Sequence, residues 1–534
     1  MSASERATDI RWHVEPKWRG ALLADGRVPL DDWLQAAQAE KVKDGRFRTI
    51  YRVRCGGLDL HVKHCRPVGL RAWLREWLRP AKALLEFRRI RAIARRNIPT
   101  LEALAVGTGR GVGPSDSYLI TESLADTQSL GAFLSLAPPP RVRQRLAREL
   151  GRFLAQLHDA GIRHADLHPG NLLLRWPDDR PEFVLIDLHD VQTGRPLRPA
   201  QSLANLVLFN RWFVLRSSRS DRLRCWRAYC AARGLMDSNL GRRLEEQTWR
   251  SNRRFWRGRL TRCLRASRHF QRLSVPGLAG FAVRDIEASA FAPLLANPDA
   301  PFREPTRPLL KDSRSSTVAE IDLTIGGQPL RVIYKRFRVT SRWDGVASLF
   351  RRTACLRSWI NGHSFRDSLL PTPRPLAFWH RQRRGVSWEG YLVVEKVESA
   401  EDFRTAAQCE PAALRIRIDE LARRIRELHD RGWSHRDLKA TNLLLAGEQF
   451  SFIDLVGARR TRASWERRRR DLARLNASFA SQPQVTRADR LRFLRSYLNW
   501  GLHGQRDWKM WWRRVAALTE VKRQRNLRRG RPLT

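Results

Sequence analysis

The chain has 534 residues, too many for a single hydrophobic core and suited to two or three domains. Its 42% hydrophobic content allows ordinary globular packing, and no apolar run nears the roughly 18 residues of a membrane-spanning helix, which excludes that class. The formal charge of +47, from 101 Lys+Arg against 54 Asp+Glu, calls for a polyanionic partner, although an arginine-rich proteome supplies part of it. In chain order, the first half opens with alternating strand patterns over Tyr51–Arg54 and Leu58–Lys63. A basic helix is expected around Leu84–Arg96, then a strand ending at Glu122. A long amphipathic helix over Val142–Leu157 is ended by Asp159-Ala160-Gly161. Next come His164-Ala165-Asp166-Leu167-His168-Pro169-Gly170-Asn171 and the apolar run Phe183–Ile186, which stops at Asp187.

The second half repeats this order. It offers strands over Ala319–Ile325 and Leu330–Lys335, a helix over Thr353–Ser368 and a strand ending at Glu395. A helix over Ala413–Leu428 leads to His435-Arg436-Asp437-Leu438-Lys439-Ala440-Thr441-Asn442, and the next strand ends at Asp454. Lys63 and Lys335 lie 272 residues apart, as do Pro99-Thr100 and Pro371-Thr372. Leu157-His158-Asp159 and Asp166 recur 271 residues later, and Asp221 with Tyr229 recurs 268 later as Asp489 with Tyr497. So constant an offset implies tandem duplication of a whole domain. The boundary is expected near residue 275, within the Pro- and Gly-containing stretch Ser274–Thr306.

A loop carrying Asp and Asn five positions apart, with a second Asp ending the next strand, has the parts phosphoryl transfer needs. One Asp orients and deprotonates a hydroxyl, and the Asn and the other Asp hold magnesium. The spacing resembles the catalytic and metal loops of the protein-kinase-like fold. The expected fold class is accordingly α+β, with two tandem protein-kinase-like domains, each with a strand-rich N-lobe and a helical C-lobe. The first is expected over residues 1–275 (lobes about 12–125 and 126–275), the second over 276–534 (lobes about 276–398 and 399–534).

In the first copy Lys63 is read as the contact to the ATP phosphates and Glu86 as the helix acid that holds it. Asp166 is read as the base, Asn171 and Asp187 as magnesium ligands, and His164 as a brace for the loop. His168 is either a substrate contact or a turn residue. In the second copy Lys335, Asp437, Asn442 and Asp454 take the same roles, with His435 as the brace. Lys439 is placed to neutralise charge on the transferring group, and Glu122 and Glu395 complete the cofactor-binding set. The position matching Glu86 is Ser358, and no acid lies between Thr353 and Arg366. Either another acid reaches Lys335 or this copy binds nucleotide in a relaxed geometry. Neither copy has a G-x-G-x-x-G loop: the first offers Asp44-Gly45-Arg46-Phe47, the second Lys311–Thr317. No Asp-Phe-Gly, Ala-Pro-Glu or long activation segment is present, which favours a small-molecule, sugar or lipid acceptor over a peptide.

The order Lys, helix, Pro-Thr-x-x-x-Leu-Ala, Leu-His-Asp-x-Gly, His-x-Asp-Leu-x-x-x-Asn-Leu-Leu, Ile-Asp-Leu resembles the bacterial lipopolysaccharide kinases of the Kdo/WaaP family. The resemblance covers nearly the whole chain in two halves. The second copy, with Pro371-Thr372-Pro373-Arg374-Pro375-Leu376-Ala377 and His435-Arg436-Asp437-Leu438, looks nearer to the family. The Asp-Leu-His-Pro-Gly-Asn of the first is also similar to small-molecule phosphotransferases of the aminoglycoside type. The resemblance implies ATP-dependent phosphorylation of a Kdo or heptose hydroxyl of an anionic glycolipid, the lipopolysaccharide inner core. It places that reaction at the cytoplasmic face of the inner membrane.

Seven scattered cysteines without a CxxC pair fit buried thiols in a reducing compartment. The polar start lacks the apolar core of a signal peptide, so the expectation is a cytoplasmic protein docked on the membrane surface. Trp beside Arg, as at Trp73, Trp256, Trp343 and Trp508–Arg514, suits a membrane interface or a core helix face. Three alternatives stand beside the sugar kinase: a membrane-associated pseudokinase scaffold, a protein Ser/Thr kinase, and a nucleic-acid binder, for which no motif speaks.

Overall fold

A computed structural model describes residues 10–530, apart from 36–38, 46, most of 70–78, 110–114, 177–179, 238, 305–307, 340–349, 384–385, 461–463, 481, 500–507 and 529. The chain divides into two compact units, residues 1–251 and 252–534. The helix Leu240–Arg259 runs through the point of division.

In the first unit a six-stranded sheet has the order Ile10–Val14, Ala103–Gly109, Ser117–Glu122, Leu58–Cys65, Arg48–Cys55, Ala39–Lys43. Its pairings are antiparallel, and Lys63 stands opposite Ile50 on one side and Leu119 on the other. The helix Lys82–Ala94 buries Ala83, Glu86, Phe87, Ile90 and Ile93, an i, i+3, i+4, i+7 stripe with one carboxylate in it. The expected amphipathic helix runs Pro140–Asp159, starting on a proline whose missing N–H costs nothing there. It buries Leu146, Leu150, Phe153, Leu154 and Leu157. Gly161, at φ +70°, ends that turn in a conformation a side chain would strain. Helices Pro199–Phe213 and Arg219–Arg233 close the unit, the latter packing along Pro140–Asp159.

The second unit follows the same order of elements. Its seven-stranded sheet runs Phe270–Val275, Leu278–Val283, Pro375–Arg383, Val386–Glu395, Gln328–Phe337, Ser316–Ile325, Leu309–Ser313. Lys335 stands between Val318 and Leu392. The helix Ala354–Asp367 is capped by the Thr353 hydroxyl, and the long helix runs Pro411–Asp430. Pro276-Gly277, read from sequence as part of the seam, is instead the tight turn of a hairpin in which Val275 pairs with Leu278. Gly277 supplies the positive φ that such a turn needs. Proline and glycine punctuate hairpins as readily as linkers, and sequence alone does not separate the two.

The described tryptophans of this set pack into the core. Trp256 and Trp511 are buried, each with an arginine stacked on its ring (Arg460 and Arg469, both 4.8 Å from the centroid). Trp508 and Trp512 pack against the apolar cluster of the second unit. Trp73 and Trp343 lie outside the described residues. All seven cysteines are free, and Cys65, Cys263 and Cys355 are buried while the other four are partly exposed. Among the described residues no helix is long and apolar enough to cross a membrane.

Burial sets a pH dependence. It pushes His158 and His380 down to about 4 and His363 to about 3, so the fold holds them neutral. Unfolded histidines bind protons below about pH 6.5, so stability is complete above that value and falls as pH drops toward 4. At pH 5 each costs about 2 kcal/mol. The melting temperature is expected to fall between pH 7.5 and pH 5. His363→Phe should reduce the fall, because Nε2 of His363 has no hydrogen-bond partner and its ring packs edge-on against Trp359 and Phe270. A melting temperature that does not change with pH would count against this reading.

Candidate functional site

Each unit places the loop and the strand-end aspartate by the same main-chain bonds. The strand Glu182–Leu185 pairs with Leu172–Arg175, and Gln449–Phe452 pairs with Leu443–Ala446. Asn171 accepts the Ile186 N–H at 3.0 Å, as Asn442 accepts that of Ile453 at 3.0 Å. The recurring Pro-Thr fastens the same strand from the other side. Thr100 Oγ1 donates to the Leu185 carbonyl at 2.8 Å and Thr372 Oγ1 to that of Phe452 at 2.7 Å. Asp187 and Asp454 then sit at φ +59° and +55°, a left-handed backbone that few non-glycine residues adopt.

The histidines of the two motifs are buried braces. Nδ1 of His164 accepts the Asp166 N–H at 3.1 Å, and its Nε2 lies 3.4 Å from the Ile186 carbonyl. His435 Nε2 lies 3.0 Å from the Ile453 carbonyl. Asp166 and Asp437 are exposed at the loop tip. His168 accepts the Gly170 N–H at 3.0 Å, and its Nε2 is 3.5 Å from Asp166 Oδ2, so it shapes the turn and faces the carboxylate as well.

In the first unit Lys63 and Glu86 form a buried pair at 2.5 Å, with side chains 9% and 4% exposed. Asp187 carries a second pair that the sequence reading did not find. Arg48, at the start of the strand before Lys63, grips both its oxygens at 3.0 and 3.3 Å, and His189 Nδ1 lies 2.8 Å from Oδ1. Burial opposes ionisation of Asp187, but these two partners outweigh it and hold the carboxyl well below the ordinary carboxylate range. Glu122 accepts the Glu102 N–H at 3.1 Å; no described contact joins it to Lys63.

In the second unit the acid that reaches Lys335 is Asp454, at 3.1 Å. This answers the question left by Ser358, which is buried on the helix Ala354–Asp367. A cavity of about 700 Å³ brings together Lys335, Ser358, Glu395, Lys439, Asn442 and Asp454. Its size suits a nucleotide-sized ligand.

Magnesium takes six oxygens, of which a protein commonly supplies one or two carboxylates and phosphates or water supply the rest. Asn171 Nδ2 donates to the Asp166 carbonyl at 2.9 Å and Asn442 Nδ2 to that of Asp437 at 2.8 Å, which leaves each amide oxygen for a metal. Beside it stands an ionised carboxylate that has already drawn in protein cations. This donor set fits magnesium, although no group of three metal-binding side chains occurs among the described residues.

Two further groups were not assigned from the sequence. Asn205 Oδ1 accepts the His164 N–H at 3.4 Å, while Asp471, fully buried, accepts the N–H groups of His435 and Arg436 at 2.8 and 3.0 Å. Behind them His158 meets the Tyr229 hydroxyl at 2.9 Å and His429 that of Tyr497 at 2.8 Å. The recurrence of Leu-His-Asp and of the distal tyrosine was the available signal.

The model of the lipopolysaccharide kinase (Kdo/WaaP) family matches residues 31–229 and 342–497. The fuller match is thus to the first copy, and the second begins beyond Lys335. The lipopolysaccharide core heptose(I) kinase WaaP of Pseudomonas aeruginosa is 29% identical over 230 residues, 39% of this chain and 82% of that protein. WaaP of Escherichia coli is 26% identical over 193 residues, 34% and 72% of the two chains. The 3-deoxy-D-manno-octulosonic acid kinase of Xanthomonas campestris is 32% identical over 164 residues, 30% and 64%. A solved structure of WaaP in complex with acyl carrier protein is 24% identical, covering 44% of this chain and 99% of that one, with a TM-score of 0.34. With a family match over more than half its length, the chain belongs to the lipopolysaccharide kinase (Kdo/WaaP) family and is a kinase.

Proposed function

We propose that the protein transfers the γ-phosphoryl group of ATP to a sugar hydroxyl, on Kdo or heptose, of the lipopolysaccharide inner core, and that the first unit carries the turnover. Both units are read as protein-kinase-like domains arising by duplication. The observation that carries the assignment is the Lys63–Glu86 pair, which holds the lysine ready for nucleotide phosphates and away from the metal-binding carboxylate. In the second unit Lys335 spends its charge on Asp454. That unit is read as a nucleotide-binding module with little transfer of its own, and the cavity around Lys335 supports nucleotide binding there.

Asp166 accepts the proton of the acceptor hydroxyl and orients its oxygen. Its loop is held rigid by His164 and by Asn171, so the carboxylate is positioned before substrate arrives. Asn171 and Asp187 would hold magnesium, which when bound supplies positive charge to the phosphates. Arg48 is then free to turn from Asp187 toward phosphate oxygens, a bidentate partner in either position. The charge of +47 supports attraction to an anionic glycolipid and to the cytoplasmic face of the membrane, where we place the protein.

The test supplies labelled ATP with magnesium and purified core saccharides that carry or lack Kdo and heptose. Label is expected on the saccharide. Label only on protein side chains, or none with any core acceptor despite ATP binding, would reject the reading. Within it, Glu86→Gln is expected to raise KM for ATP about tenfold, because Lys63 loses the charge that positions it.

A further inference from the structure

The second unit contains a pocket that the transfer chemistry does not use. Arg436 from the loop, Arg459 from the strand Arg459–Arg460, and Arg467, Arg470 and Arg474 from the helix Trp465–Ala477 line, with Ser434, a cavity of about 290 Å³. Two of the five have acidic partners: Arg470 meets Glu466 at 3.2 Å and Arg474 meets Asp471 at 3.1 Å. Among the described residues the side chains of Arg436, Arg459 and Arg467 have none. Asp471 cannot serve them further, since it also accepts from Ser434 Oγ at 2.8 Å and from the His435 and Arg436 N–H groups. Arg436 is itself at φ +66°, so its guanidinium is presented from a backbone that only the surrounding bonds maintain.

General basicity does not account for this convergence, because the chain contains its own control. Asn205 and Asp471 occupy matching places, each accepting the N–H of the motif histidine. Strand register matches Arg459, opposite Ser434, with Gln192, opposite Arg163. Counting from these anchors, the five arginines correspond to Ala165, Gln192, Gln201, Ala204 and Leu208 in the first unit. Not one is basic, in a chain with 101 Lys+Arg. The five arginines of this pocket have no basic counterparts in the first unit. Partial burial and the guanidiniums of Arg459, Arg474 and Arg467 also lower the pKa of Arg436, outweighing the opposing pull of Asp471.

We propose that this arginine pocket binds a phosphate group. Planar guanidinium forks match the oxygens of a phosphate dianion in pairs, which makes arginine the residue of choice for such sites. Three unpaired forks from three elements offer more donors than a carboxylate can use. The phosphate comes either from the acceptor saccharide, if it already carries one, or from free inorganic phosphate. The first source rests on the glycan-kinase reading above, and the second does not.

The experiment uses the full chain and needs no turnover for its first arm. Inorganic phosphate is titrated by calorimetry against chloride at equal ionic strength into wild type, Lys335→Met and the pair Arg436→Gln, Arg467→Gln. Both arginines are exposed and, among the described residues, their side chains have no acidic partner, so the pair leaves the fold intact. Saturable binding is expected in wild type and Lys335→Met, with at least about tenfold weaker binding in the arginine pair. Equal binding in the pair, or loss in Lys335→Met alone, overturns the proposal, the latter assigning the phosphate to the nucleotide cavity. The second arm compares KM for core saccharide before and after phosphatase treatment. A rise of about tenfold in wild type that the arginine pair does not show identifies the acceptor as the source. An unchanged KM, with phosphate binding lost in the pair, identifies free phosphate.

Discussion

Asp166→Asn is expected to slow phosphate transfer about a thousandfold, in the middle of the range for loss of a general base, with KM for ATP within about twofold of wild type. The amide keeps the size of the side chain. It also keeps the main-chain carbonyl that Asn171 Nδ2 holds at 2.9 Å, so the loop and the metal donors stay in place. What is lost, on the proposed function, is the proton acceptor beside the hydroxyl. Asp437→Asn, the same change in the second unit, is expected to cost less than about threefold in steady-state transfer. There Lys335 lies on Asp454 at 3.1 Å, and Ser358 stands where the first unit has Glu86. Rates with labelled ATP and core saccharide, taken on both variants after circular dichroism has shown them folded, decide the matter. Equal losses would mean two working sites, and loss in Asp437→Asn alone would move the chemistry to the second unit.

The element order and the motif residues were legible because they carry their own periodicity. Alternating strands, the long amphipathic helices, and the strands that stop at Glu122 and Glu395 lie where apolar spacing put them, while the strands before Asp187 and Asp454 end two residues earlier, at Leu185 and Phe452. Lys63 and Glu86 were read as partners from their spacing of one strand-to-helix step, and the pair is present. The partners of Asp187 were not legible. Arg48 is one of many arginines and lies 139 residues away, and nothing local marks it as the one that folds onto the strand end. Asp454 as the partner of Lys335 was equally hidden, since 119 residues separate them and nothing local singles out which acid reaches the lysine. Sequence reasoning finds contacts within an element or one step beyond it. Those that close the site depend on how the sheet meets the loop, and Pro276-Gly277 shows the same limit, since a turn and a linker use the same residues.

The second large effect falls on stability. Asp471→Ala is expected to destabilise the second unit by about 3–5 kcal/mol, because it removes a buried charge that several donors share. Asp471 takes N–H groups from His435 and Arg436, the Ser434 hydroxyl at 2.8 Å, His429 Nε2 at 3.4 Å and Arg474 Nη1 at 3.1 Å, with none of its side chain exposed. Burial alone would raise its pKa, but His429, Ser434 and the nearby His435 outweigh burial and hold it down at about 2. A depressed carboxyl stabilises above the ordinary carboxylate range, and that contribution is lost only as pH falls toward 2. At pH 7.5 the full effect should therefore appear, as a fall in melting temperature of roughly 10 °C. Asp471→Asn should cost less, about 1–2 kcal/mol, since Asn205 shows that a neutral amide can accept the histidine N–H and donate to its carbonyl at 2.7 Å. The first unit closes its loop with an amide alone. In the second unit Arg474 lies on the same position at 3.1 Å, and a carboxylate both closes the loop and pairs with that arginine. An alanine variant that melts with wild type would mean that the loop and its arginines are held by something other than Asp471.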